Sequence, residues 1–85
     1  MYQVRLLDAA AQELAKLDKP VARRIAKRLT WLAGNAAHIK HLPLTGNLAG
    51  CYKLRIGDYR VLYEVLHDED VILIHLIGHR REVYR

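Results

Sequence analysis

The sequence predicts a single α+β domain in which a two-helix hairpin packs on one face of an antiparallel sheet. Three observations indicate this class: a short alternating strand at the start, two consecutive segments with apolar residues at helical spacing, and three strand-like runs joined by short turns. The predicted element order is therefore β-α-α-β-β-β. A chain of 85 residues accommodates one small core, so residues 1–85 are assigned to one domain.

The first strand and the first helix are predicted from alternation and capping. Apolar and polar residues alternate over Tyr2–Leu7, which places the apolar side chains on one face of a strand. Asp8 can cap a helix over Ala9–Leu17, whose leucines share one side. This part of the chain therefore begins the sheet and then crosses to the helical layer.

A longer second helix is predicted from Asp18 to about Ala33. Asp18 can cap it, Pro20 suits its first turn because a missing N–H costs little there, and Gly34 provides a stop. Its buried stripe is predicted to consist of Val21, Ile25, Leu29 and Leu32. The other side forms what we term the helix basic face, made up of Arg23, Arg24, Lys27, Arg28 and Trp31.

The segment Cys51–Tyr63 has the pattern of a tight β-hairpin around Gly57-Asp58, because a two-residue loop that starts with glycine suits the turns that hairpins prefer. That loop fixes the register as Ile56–Tyr59, Arg55–Arg60, Leu54–Val61, Lys53–Leu62 and Tyr52–Tyr63. The face directed to the core then carries Tyr52, Leu54, Ile56, Tyr59, Val61 and Tyr63. The opposite face carries Cys51, Lys53, Arg55, Arg60 and Leu62.

The hairpin is flanked by a loop and by a last strand. Asn35–Gly50 is predicted to be a loop, held to the domain by Leu42, Leu44 and Leu48. His67–Asp70 forms a second turn before Val71–Ile77, which is apolar at nearly every position. We therefore expect this strand to be covered on both faces and to end at Gly78.

Charge and cysteine content limit the class of partner and the compartment. The formal net charge is +5 and the isoelectric point is about 9.7, which favours a polyanionic partner. A single cysteine excludes an intrachain disulfide and favours a reducing compartment. The sequence has neither a secretory pattern nor an apolar run long enough to span a bilayer, so we expect a cytoplasmic protein without a membrane partner.

The predicted hairpin brings cations together. Arg55 and Arg60 lie directly opposite each other, and Lys53 lies two residues away on the same face. Like charges facing each other across a strand pair are destabilising, so this arrangement is most simply explained by a bound anion. Phosphate is the natural candidate because guanidinium groups bind it with two hydrogen bonds.

Residues near the end of the chain extend this cluster. A two-residue turn at Asp68-Glu69 would place Ile77 beside Arg60 and His75 beside Leu62. Arg80 would then lie close to the arginine pair, and a tail that folds back would add Tyr84. The resulting candidate site consists of Lys53, Arg55, Arg60, Arg80 and Tyr84.

The chemistry of this set favours phosphodiester cleavage in RNA. Its cations can stabilise charge that develops on a phosphate, while proton transfer would fall to Lys53 or Tyr84. RNA supplies its own nucleophile in the 2′-hydroxyl, so no metal or other cofactor is expected. His38 and His41 have a spacing that a metal could use, but they lack further ligands. His75, within an apolar run, is expected to be a structural, hydrogen-bonded residue.

The segments YKLRIGDYRVLYEV and ILIHLIGHRREVY resemble the RelE/ParE superfamily of type II toxins, and the resemblance covers nearly the whole chain. It implies a RelE-like fold and, in the RelE branch, metal-independent endoribonuclease cleavage of mRNA in the ribosomal A site through 2′-hydroxyl attack. The residues that match the family's functional set are Lys53, Arg55, Arg60, Arg80 and Tyr84. Arg55 stands where some members have lysine.

The resemblance also implies partners, and it leaves alternatives. A cognate antitoxin, acidic or amphipathic and RelB-like, is expected to form a hetero-oligomer with the toxin. The helix basic face would contact RNA, the ribosome or that antitoxin. One alternative is a ParE-like inhibitor of DNA gyrase without nuclease activity. Another is a plain nucleic-acid-binding module that uses the helix basic face.

Overall fold

A computed structural model of the chain describes residues 2–44, 46 and 50–79. A 3₁₀ turn over His67–Glu69 precedes the last strand. The helices and strands, in chain order, are β1 Gln3–Leu6, α1 Asp8–Lys16, α2 Lys19–Asn35, β2 Leu42–Pro43, β3 Tyr52–Ile56, β4 Tyr59–Leu66 and β5 Val71–His79.

The sheet has five strands in the order β1-β5-β4-β3-β2, and both helices lie on one of its faces. Strands β3, β4 and β5 form the predicted antiparallel meander, so the α+β class is confirmed. The sheet as a whole is mixed, because β1 pairs parallel to β5. Sequence pattern does not reveal this direction, since no short turn connects these two strands.

The core lies between the helices and the face of the sheet that they cover. The predicted stripe of α2 is confirmed, with Ile25, Leu29 and Leu32 buried and Val21 packed at its edge. The strands contribute Ile56, Val61, Tyr63, Ile72, Ile74 and Ile77. The predicted alternation of the hairpin is confirmed as well, because its core-facing residues all belong to or pack against this cluster.

The hairpin register matches the prediction at all five pairs, including Arg55 opposite Arg60. Gly57 has a φ of 60° whereas Asp58 does not have a positive φ, as in a type II′ turn. A Cβ on Gly57 would also lie 3.0 Å from Nη1 of Arg24. Two separate constraints therefore favour glycine at this position. One is the positive φ of the backbone, and the other is the arginine of α2 that lies against the turn.

Element ends and the long loop differ from the prediction. Helix α2 continues through Gly34 to Asn35, whose side chain donates a hydrogen bond to the carbonyl of Trp31. A glycine costs about 1 kcal/mol inside a helix, which α2 tolerates because its apolar side is buried. The loop contains a strand, β2, on the edge of the sheet. Leu42 is 55% exposed and does not hold the loop down, and Leu48 lies outside the described residues.

The last strand differs from the prediction in two respects. Among the described residues, both helices lie on one side of it, and on the other side Val71 is buried but Leu76 is 38% exposed, so this side is covered only in part. Its register with β4 begins as predicted and then shifts by one residue at a β-bulge, so Leu76 lies opposite Leu62 and Gly78 opposite Arg60. A run that is apolar at almost every position has no period that could reveal a bulge.

His41 joins the long loop to the core. Its Nε2 donates to the carbonyl of Ala36 at 2.8 Å, so its Nδ1 accepts a hydrogen bond from the hydroxyl of Tyr63 at 2.6 Å. Tyr63 is 1% exposed. Both ring nitrogens of His41 are therefore engaged in holding the loop.

The burial of Tyr63 predicts a loss of stability at high pH. Burial, and secondarily the nearby Tyr52, raises the pKa of Tyr63 from 10.0 to about 12. A raised folded-state pKa gives stability that is complete below pH 10 and is lost as the pH rises through 12, amounting to roughly 2–3 kcal/mol. We expect the free energy of unfolding to fall over this range in the native protein, and to fall much less in Tyr63→Phe. Tyr59→Phe is the matched control and should retain the loss; equal losses in all three proteins would contradict this assignment.

Candidate active site

The predicted cations lie on the open face of the sheet, which we define as the face opposite the helices. Arg55 and Arg60 are directly opposite each other, and Lys53 lies opposite Leu62. Arg55 is exposed, whereas Lys53 and Arg60 are half-buried. The structure thus brings three of the five predicted catalytic residues together at one end of this face.

The two arginines are anchored to the backbone around the hairpin turn. Arg55 Nε donates a hydrogen bond to the carbonyl of Gly57 at 3.2 Å. Arg60 Nη1 lies 3.4 Å from the carbonyl of Tyr59, which is a long hydrogen bond. Guanidinium groups held in this way suit a phosphate, which they can bind with two hydrogen bonds each.

The strand that leads to the other two predicted residues also reaches this end. Gly78 lies opposite Arg60, and His79 pairs with Tyr59. The shift at the bulge therefore places a glycine, rather than the expected Ile77, beside Arg60, and no side chain from β5 lies directly opposite that arginine. Arg80 and Tyr84 lie outside the described residues.

The helix basic face lies on the outer side of α2. Arg23, Arg24 and Lys27 are exposed. The guanidinium of Arg28 lies over the ring of Trp31, 4.3 Å from its centroid, and Trp31 is 40% exposed. This arrangement confirms the expected position of Trp31 beside the basic side of the helix.

Arg24 connects the helix basic face with the hairpin. Its guanidinium lies against Gly57, while Arg55 binds the carbonyl of the same glycine from the open face. Two guanidinium groups therefore approach the same glycine, one from α2 and one from the open face of the sheet. Sequence reasoning treated the two basic regions separately, because nothing in the local pattern reveals a tertiary contact between a helix and a turn.

The structure adds an acid–base pair that the sequence analysis did not identify. His75 Nε2 lies 3.0 Å from Oε1 of Glu64 on the open face. Glu64 follows Arg60 and Leu62 on the same side of β4, so alternation alone could have identified its face. The register predicted from the sequence places His75 beside Leu62, two residues from Glu64 on the same face, so the contact between the two side chains could also have been identified.

The described residues offer neither a reactive thiolate nor a cluster of metal ligands. Burial, and then the neighbouring Glu64, raises the pKa of Cys51, which keeps the thiol protonated. Within the described ranges, no group of three or more His, Cys, Asp or Glu side chains is placed to hold a metal ion. Across residues 2–44, 46 and 50–79, no helix is both long enough and apolar enough to span a bilayer.

Comparison with known proteins yields one consistent family. A family model described as the ParE toxin of the parDE type II toxin-antitoxin system matches residues 4–84. A RelE-like toxin protein of Escherichia coli is 35% identical over 81 residues, which cover 93% of this chain and 83% of the relative. The RelBE2 toxin–antitoxin complex of Mycobacterium tuberculosis contains a chain with TM-score 0.82 and 28% identity, with coverage of 93% and 98%. The isolated Escherichia coli RelE toxin gives TM-score 0.78 and 27% identity, with coverage of 99% and 92%.

These similarities extend over nearly the full length of the chain and over its whole fold, and they define the class as a toxin of a type II toxin–antitoxin system. The chain belongs to the RelE/ParE superfamily and is RelE-like.

Proposed function

We propose that this protein is the toxin of a type II toxin–antitoxin system and that it cleaves mRNA on the ribosome without a metal. The observation that carries the proposal is the convergence of Lys53, Arg55 and Arg60 on the open face of a RelE-like fold. Three cations of this kind suit a phosphodiester whose negative charge increases in the transition state.

The reaction follows from the chemistry of RNA. The 2′-oxygen attacks the adjacent phosphorus, the bond from phosphorus to the 5′-oxygen breaks, and the products carry a cyclic phosphate and a 5′-hydroxyl. Arg55 and Arg60 bind the non-bridging oxygens and stabilise their added charge. Lys53 assists proton transfer beside them. DNA lacks the 2′-hydroxyl and is not cleaved by this route.

Arg80 and Tyr84 complete the proposed set as predictions from the sequence. Arg80 directly follows His79, which pairs with Tyr59 beside Arg60. This position in the chain supports a role for Arg80 at the same phosphate. Tyr84 is proposed to assist proton transfer.

The proposed partners are the ribosome with its mRNA and a cognate antitoxin. RelE-type toxins have been solved in complexes with RelB-type antitoxins from Escherichia coli and Pyrococcus horikoshii. An acidic or amphipathic antitoxin would complement the net charge of +5 and mask the basic surface in a hetero-oligomer. The helix basic face, which continues to the hairpin through Arg24, is proposed to dock on ribosomal RNA or on this antitoxin. These interactions correspond to a cytoplasmic protein.

The alternative is a gyrase inhibitor, which the ParE description of the matching family model brings into consideration. Inducible expression in a bacterial host distinguishes the two mechanisms through the early incorporation of labelled amino acids and thymidine. We expect amino-acid incorporation to stop first, with cleaved mRNA and no DNA-damage response. Early loss of DNA synthesis with a damage response and intact mRNA would instead support gyrase inhibition.

A further inference from the structure

The β-bulge in β5 changes which side chains reach the open face. Ile74 and Ile77 pair with Tyr63 and Val61 and face the core. Two residues lie between them, and Leu76 pairs with Leu62 on the open face. His75 is the extra residue of the bulge and contacts Glu64 on that same face. His75 lies two residues after Leu73, so regular alternation already directs it to the open face, and the bulge adds Leu76 to that face while it keeps Ile77 in the core.

The contact with Glu64 determines the protonation pattern of His75. Its Nε2 is 3.0 Å from the carboxylate, so Nε2 carries the proton and Nδ1 carries the lone pair when the ring is neutral. No hydrogen bond to Nδ1 occurs within the described part of the chain, and the side chain of His75 is 32% exposed. A carboxylate that holds one nitrogen of an imidazole stabilises the ring when the other nitrogen takes a proton.

The proposed cleavage requires a group that accepts a proton. Lysine and tyrosine side chains are normally protonated at neutral pH and arginine cannot lose its proton, so these residue types serve better as donors or as charges. A neutral imidazole, in contrast, has a nitrogen lone pair that can accept a proton near neutral pH. Cys51 is no substitute, because burial and Glu64 raise the pKa of its thiol.

The position of the pair on the sheet suits one RNA strand that lies across the cations. Lys53 is opposite Leu62, so Glu64 is its diagonal neighbour, with roughly 7–8 Å between the two residues. His75 precedes Gly78, the partner of Arg60, by about 10 Å along β5. Long arginine and lysine side chains together with one nucleotide span that distance. Among the described residues, the ionisable groups directed toward this part of the open face are Glu64 from β4, Lys53 from β3, Arg5 from β1 and Cys51 before β3.

We propose that His75, oriented by Glu64, is the general base for RNA cleavage at this face. Nδ1 takes the proton of the 2′-hydroxyl as the bond from the 2′-oxygen to phosphorus forms. The leaving 5′-oxygen receives its proton from Lys53, Tyr84 or water, and His75 later releases its proton to solvent. His75 is thus a catalytic residue and Glu64 a positioning residue. The inference rests on the proposed function, because it names the base for that same reaction.

Single-turnover cleavage of mRNA on saturating ribosomes tests this role across the pH range that ribosomes tolerate. In the native protein we expect the rate to rise with pH through the titration range of a histidine. His75→Gln should cleave at least about 100-fold more slowly and lose this dependence. Glu64→Gln should cleave roughly tenfold more slowly while its binding to the ribosome is unchanged, because the imidazolium loses the carboxylate that orients and stabilises it. His38→Gln, on an exposed loop residue, is the matched control and should behave as the native protein.

Circular dichroism and ribosome binding establish that each variant is folded. Cleavage by folded His75→Gln at the native rate and with the native pH profile would overturn the role of His75 and leave the proposed function intact. If His75→Gln does not fold, the native protein alone still tests the role of His75. A native cleavage rate that does not depend on pH would also overturn that role. Absence of cleavage by the native protein would refute the proposed function and this inference together.

Discussion

Replacing Arg60 by alanine is expected to lower the rate of mRNA cleavage by about 100- to 1,000-fold and leave the fold intact. Arg60 is half-buried on the open face, opposite Arg55, where its charge acts in surroundings that screen it less than bulk water does. Removal of one preorganised donor from a developing oxyanion typically costs about 2.7–4 kcal/mol in the transition state. The free energy of unfolding should change little, because relief of the like-charge contact with Arg55 offsets the loss of a long hydrogen bond to the Tyr59 carbonyl.

Cleavage rates for Arg60→Ala, Arg60→Lys and Lys40→Ala separate specific catalysis from general charge. Arg60→Lys keeps the charge but loses the two-point hydrogen bonding, so an intermediate rate is expected. Lys40 is exposed in the loop that follows α2, and its removal lowers the net charge by the same amount. Equal losses in Arg60→Ala and Lys40→Ala would show that only the overall charge matters.

Replacing Ile74 by alanine is expected to lower the free energy of unfolding by about 2–5 kcal/mol. Ile74 is fully buried in β5, where it pairs with Leu6 of the parallel neighbour and Tyr63 of the antiparallel one. Its truncation leaves a cavity that these strands cannot close without moving the helices. A domain of this size has a stability on the order of 5–10 kcal/mol, so the loss is a large fraction of the total.

Leu76→Ala is the matched control for this prediction. Leu76 lies two residues further along β5, on the open face, and is 38% exposed. We expect its truncation to cost about 1 kcal/mol or less. Urea denaturation of both variants measures the difference. Equal losses would contradict the conclusion that the helices cover only one face of β5.

The hairpin and the helical stripe were predictable because local chemistry determines them. The two-residue loop at Gly57-Asp58 permits one register, and that register places Arg55 opposite Arg60. In α2, apolar residues at helical spacing, from Ile25 to Leu32, identify the buried side directly. The central part of the candidate site was therefore visible in the sequence.

The unpredicted features depend on contacts between elements that are distant in sequence. The bulge at His75 occurs within an apolar run, so it leaves no trace in the alternation. The strand β2 consists of Leu42–Pro43 alone and forms by pairing with the edge of β3. The contact of Arg24 with Gly57 requires the helix to be packed on the sheet. Such features belong to the tertiary structure. Two of them, the bulge and the contact of Arg24 with Gly57, lie next to the candidate site.

Primer extension on a reporter mRNA in a bacterial translation extract, with and without ribosomes, tests the central claim most directly. The account predicts cuts within the coding region that require ribosomes, persist in the presence of a metal chelator at concentrations that ribosomes tolerate, and disappear with Arg60→Ala. Intact mRNA in the presence of folded native protein and translating ribosomes would contradict it.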